Sequence, residues 1–163
     1  MMKLQSAALL LVLGLGACSG GSSDPKALND DGYQKISAND YEGAKSDFEA
    51  AAAALAGNTA DPQYKSAKLG LVETLAHTNA AKAKTEFLAL ATAIGDKLTA
   101  EDYSYIGGVL VSAGDPESGL AIVHQGTLKF PSDPGLEKIL AAIKAKAASD
   151  PALTSALSGL GYP

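Results

Sequence analysis

Apolar and polar positions divide the chain into three regimes. The first is a continuous apolar run over roughly residues 7–17, centred on Leu-Leu-Leu-Val-Leu at 9–13 and preceded by Lys3. A short stretch without apolar side chains, Ser-Gly-Gly-Ser-Ser at 19–23, follows. Beyond it, apolar residues recur at helical spacing in blocks, predicting helices over residues 25–38, 41–55, 62–77, 80–94, 99–113, 116–129, 134–147 and 150–158. Breakers separate the blocks: Asn39-Asp40, Gly57-Asn58, Thr78-Asn79, Gly95-Asp96, Gly114-Asp115 and Pro131. Five blocks open on Asp-Pro, at Asp24-Pro25, Asp61-Pro62, Asp115-Pro116, Asp133-Pro134 and Asp150-Pro151. The aspartate suits the N-cap because its carboxylate accepts from orphan N–H groups, and proline loses nothing at the first helical position. In block 134–147, Leu136, Ile139, Leu140 and Ile143 form one apolar face, which predicts a helix covering the end of the preceding ones.

The first apolar run is too short to cross a hydrocarbon core of roughly 30 Å as a helix rising about 1.5 Å per residue. A basic start, short apolar centre and small residues at the end read as a secretory signal. Its end, Leu15-Gly16-Ala17-Cys18, resembles the lipobox of bacterial lipoproteins. That resemblance implies cleavage before Cys18, acylation of its thiol, and attachment of the mature protein to a membrane by lipid. Cys18 is the only cysteine, so no internal disulfide can form. Ser19 replaces the aspartate that favours inner-membrane retention in enterobacterial lipoproteins, which implies the outer membrane, with the protein facing the periplasm. The expected organisation is a signal at 1–17, a lipidated tether at 18–24 and one helical domain at 25–163.

Removing residues 1–17 from 163 leaves 146, enough for one domain with a real core. Losing Lys3 moves the net charge from −5 to −6, and all 13 basic residues are lysines. An acidic chain without arginine is poorly suited to nucleic acid, so none is expected as a partner. Richness in alanine, leucine and lysine favours an all-α fold.

The blocks also repeat. Residues 39–51, 79–90 and 114–126 share a pattern anchored by Ala44, Ala83 and Gly119, which lie 39 and 36 residues apart (83 − 44 and 119 − 83). Four positions after each anchor stand Phe48, Phe87 and Val123, and three further on stand Ala51, Leu90 and Gly126. The small–aromatic–alanine order of Ala44, Phe48 and Ala51, with Gly32 and Gly107 in the preceding helices and Pro131 at the end, resembles the tetratricopeptide repeat. The departures are no tryptophan, Leu71 where a small residue is expected beside Gly70, and long connections at 56–62 and 94–99. The resemblance spans about residues 25–133. It implies an α-solenoid of three helix-turn-helix repeats with a C-terminal capping helix.

Little in the chain points to catalysis. His77 lies at a predicted helix end with Glu73 one turn before it, a spacing suited to one ion pair. His124 lies inside a predicted helix, on the surface or partly packed. Neither makes a zinc signature, Cys18 is committed to lipid, and no Gly-rich phosphate loop follows a strand. Asp30-Asp31 and Glu101-Asp102 sit in early helical turns, where the helix dipole favours them. No enzymatic activity, metal or cofactor is expected.

Protein binding is the better expectation. In the repeat family the first helix of each pair lines a concave face. The resemblance puts Lys26, Asn29, Tyr33 and Ile36 there, then Lys65, Lys68, Val72 and Leu75, then Glu101, Ser104, Gly108 and Val111, with Tyr105 alongside. Ile36, Leu75 and Val111 are better read as core, leaving Tyr33, Lys65, Lys68 and Tyr105 as candidate partner-binding residues. Small lipoproteins of this build resemble assembly lipoproteins of pili and secretion systems, which implies a secretin or pilus component as partner. Two alternatives are a scaffold for cell-wall or outer-membrane protein assembly, expected to present an open groove, and a small-molecule-binding lipoprotein, expected to have a closed pocket beside His77 or His124.

Overall fold

In a computed structural model the described residues are 23–162, so Cys18 and the signal lie outside them. The fold is all-α. Its helices are α1 (Pro25–Ser37), α2 (Tyr41–Ala54), α3 (Pro62–Thr78), α4 (Ala80–Ile94), α5 (Ala100–Ser112), α6 (Pro116–Lys129), α7 (Pro134–Ala147) and α8 (Pro151–Gly159). No strand occurs among the described residues. The long connection at 94–99 contains a 3-10 turn, Gly95–Lys97.

The starts follow the capping chemistry. Asp24, Asp61, Asp115, Asp133 and Asp150 each accept a backbone N–H from the first turn, with proline next in sequence. Asn79 does the same for α4. Thr99 and Asp102 form a reciprocal capping box at α5. Each such cap contributes about 1 kcal/mol. Between α1 and α2 the chain reverses through Asn39 at φ 59°, a left-handed conformation that asparagine tolerates better than most residues.

Packing is sequential. α1, α3, α5 and α7 touch in succession, α2 lies against α1 and α3, and α4 lies against α3 and α6. α6 packs on α5 and α7, and α8 closes the end against α7 and α6. The repeated anchors are interior: Ala44, Phe48, Ala51, Ala83, Phe87 and Val123 are fully buried, and Gly119 and Gly126 are buried with them. Glycine is required where helices converge on an anchor. A Cβ on Gly32 would stand 2.7 Å from the Phe48 ring and one on Gly70 2.4 Å from it. Gly70 therefore admits the ring of the preceding pair. Leu136 and Ile143 of α7 are fully buried and Ile139 and Leu140 partly so, as expected of a covering helix.

Candidate functional site

The succession α1, α3, α5, α7 presents a cleft holding two cavities that share Tyr105 as a wall. The smaller, about 280 Å³, lies among Tyr33, Leu69, Glu101, Asp102 and Tyr105. The larger, about 420 Å³, runs from Tyr105 past Gly108 and Val109 to Ile139, with His77 on its lining. Gly108 keeps this floor open, since a Cβ there would already press on Ile139 at 3.3 Å.

Tyr33 and Tyr105, both expected at the partner-binding face, are the exposed aromatics of this cleft, at 37% and 49% exposure. The Tyr33 hydroxyl donates to the Ser66 carbonyl at 3.2 Å, and its ring meets Phe48 edge-on at 4.9 Å. Tyr33 thus closes the α1 end of the cleft and packs on the core at once. Burial pushes its phenol upward. Tyr105 is displaced further: burial acts first, and the Glu73 carboxylate beside it adds to the upward shift by favouring the protonated phenol.

The two lysines are engaged within the chain. Lys65 reaches Asp102 of α5 at 2.6 Å and the Lys97 carbonyl at 3.2 Å, joining α3 to the start of α5. Lys68 turns to α4, where its Nζ lies 3.0 Å from Glu86. The α3 residues on the cleft are instead Leu69 and His77. Glu73 lies midway, one turn from each and so on the same helix face. Leu75 and Val111 are buried and Ile36 packs against the core, in keeping with their reading as core positions.

The spacing of Glu73 and His77 suited an ion pair, but none joins them among the described residues. His77 stacks on Tyr41 at 4.6 Å, and Glu73 Oε2 is buried without a hydrogen-bond partner. A glutamate one turn from a histidine resembles any solvated pair, and only the packing of α1 and α5 over α3 encloses it. His124 lies on α6, where its Nδ1 is 3.0 Å from the Tyr162 hydroxyl. No group of three or more metal-ligating side chains occurs among the described residues. No family model, curated protein or solved structure matches the chain.

Proposed function

We propose that this chain is a lipid-anchored adaptor of the outer membrane, facing the periplasm and holding a segment of another protein in pilus or secretion-system assembly. Lipid on Cys18 provides the anchor, and the helical domain is a tetratricopeptide-like α-solenoid of three divergent repeats with a C-terminal cap. The observation that carries this reading is the cleft along α1, α3, α5 and α7, with the half-exposed Tyr105 ring standing between two cavities. An aromatic wall between a largely apolar hollow and one edged by Glu101 and Asp102 suits an extended or helical peptide, whose alternate side chains fill the hollows while the ring packs on the segment between them.

A second reading, small-molecule binding, rests on the larger cavity and its His77. Its volume lies in the range of ligand pockets.

A photo-crosslinking residue at position 105 of the full-length chain, in its native envelope, separates the two. The adaptor reading expects adducts with a secretin or pilus-assembly component, absent when the same residue replaces Leu128, a 72% exposed side chain on α6. Identical adducts from both positions, or none from either, would overturn it.

A further inference from the structure

Among the described residues Glu73 is the one carboxylate or cationic side chain that is buried; the other buried polar side chains include Asn29, Thr74 and Ser118. It is 8% exposed, and its Oε2 has no hydrogen-bond partner. Thr74 donates to the Gly70 carbonyl at 2.8 Å and Asn29 donates to the Gln63 side chain at 2.9 Å; the Asn29 Oδ1 also lacks a partner, but it carries no charge. Enclosing a carboxylate oxygen without a partner is costly, and a fold that retains one invites the question of what satisfies it.

The chain's own cations do not. Lys65 is held by Asp102 and Lys68 by Glu86, and no lysine or histidine pairs with Glu73 among the described residues. Glu101 and Asp102 line the smaller cavity, Asp102 neutralised by Lys65 and Glu101 without an ion pair to a lysine among the described residues. Glu73 stands on the helix face of Leu69 and His77, each of which lines one cavity, and its charge acts on the phenols of both Tyr33 and Tyr105. A buried carboxylate flanked by two tyrosine rings matches a cation that can also lie against aromatic faces.

We infer that Glu73, between Tyr33 and Tyr105, is the recognition site for a lysine or arginine side chain of the bound segment. The inference rests on the adaptor reading and adds the chemistry of the partner: a basic residue near an apolar one, the ammonium or guanidinium at Glu73 and the apolar side chain in the cavity floored by Gly108. Charge complementarity selects a basic segment over an acidic one, because a carboxylate brought to the same place meets those of Glu73 and Glu101.

The test uses the full-length chain in detergent micelles and short fluorescent alanine-based peptides carrying one leucine and one lysine. Counterparts replace the lysine with arginine or with norleucine, which keeps the length and removes the charge. Fluorescence anisotropy should give at least about tenfold tighter binding for the lysine and arginine peptides than for the norleucine peptide. Glu73→Gln, close in shape, should abolish that preference while leaving norleucine binding unchanged. Circular dichroism and urea unfolding check that the variant is folded, and glutamine keeps an oxygen that can accept from the Tyr105 hydroxyl, which is hydrogen-bonded to Glu73. Equal binding of the three peptides, or a preference that survives Glu73→Gln, overturns the inference. If the norleucine peptide still binds and Gly108→Leu abolishes that binding, the cleft stands and only the basic-residue site fails. If no peptide binds, both readings fail.

Discussion

Two consecutive residues near the middle of α1, Gly32-Tyr33, correspond in the repeat to Gly107-Gly108 of α5, and the difference between them shapes the molecule. At α1 the chain is bulky on both sides. Phe48 presses against Gly32 from behind, and Tyr33 fills the front, tied to Ser66. At α5 it is small on both sides. Val123 takes the place of the phenylalanine, and a Cβ on Gly107 would stand 2.5 Å from its methyl group. The smaller side chain is matched by closer helices: a Cβ on Gly119 of α6 would stand 2.9 Å from the Gly107 carbonyl oxygen, whereas α2 has Ala44 at that position. In front, Gly108 leaves the cavity of about 420 Å³. Side-chain volume is thus traded against helix separation behind the two glycines, while in front the position is filled by Tyr33 at α1 and left open by Gly108 at α5.

Truncating the anchors should break this comparison most severely. Phe48→Ala removes a ring packed against both α1 and α3, and a loss of about 3–5 kcal/mol in urea unfolding is expected. Val123→Ala removes two methyl groups, worth about 2 kcal/mol with the small cavity left behind. Equal losses would mean that Phe48 is not the wedge its two glycine neighbours make it.

Gly119→Ala is next. The added methyl meets the Gly107 carbonyl and a Val111 methyl at 2.9 and 2.8 Å, and neither a backbone oxygen nor a buried valine yields readily. Overpacking should cost about 1–3 kcal/mol, offset in part by the roughly 1 kcal/mol alanine gains over glycine in a helix. A stabilised variant would show that α5 and α6 do not approach backbone to backbone.

This contrast also explains what the sequence discloses. Helix boundaries are legible within about a residue, because Asp-Pro starts and Gly or Asn stops act locally and need no tertiary context. The anchor triplets are legible because a repeat copies their spacing, and Leu75 and Val111 read as core for the same reason. The Lys65 and Lys68 partners are not legible, since Asp102 and Glu86 lie 37 and 18 residues away and either lysine could have pointed along the cleft. Glu73 is hidden for a related reason: its enclosure comes from Tyr33 and Tyr105, brought by two other helices. Gly70 shows the same limit. It resembles a misplaced repeat glycine, and only the packing reveals that it makes room for the preceding pair's ring.

Gly108→Tyr would sharpen the comparison by giving α5 the residue that fills the front of α1. The ring should occupy the larger cavity, with Ile139 the side chain displaced. Stability should change little, because the position is half-buried and faces the cleft. Affinity for the leucine–lysine peptide should fall about tenfold, as expected when a hollow that takes an anchor side chain is filled. Unchanged affinity in a variant of unchanged stability would move the binding surface away from the α5–α7 end of the cleft.

The smallest expected effect separates the two cleft tyrosines. Both phenols are raised above the ordinary value near 10, by burial first in each case and then by the Glu73 carboxylate, and Tyr105, which is hydrogen-bonded to Glu73, is raised further. A folded-state value above the unfolded one means that the folded protein keeps the proton where the unfolded chain has lost it. The resulting stabilisation is complete below about pH 10 and is lost as pH rises from there through the folded-state value. Stability should therefore decline above about pH 10 more steeply in the native protein than in Tyr105→Phe, with Tyr33→Phe between the two. The raised phenol of Tyr103, common to all three proteins, cancels in that comparison. Urea unfolding at a series of alkaline pH values reads the slopes directly. Parallel curves for the native protein and Tyr105→Phe would mean that the Tyr105 hydroxyl is neither buried nor held against the Glu73 carboxylate.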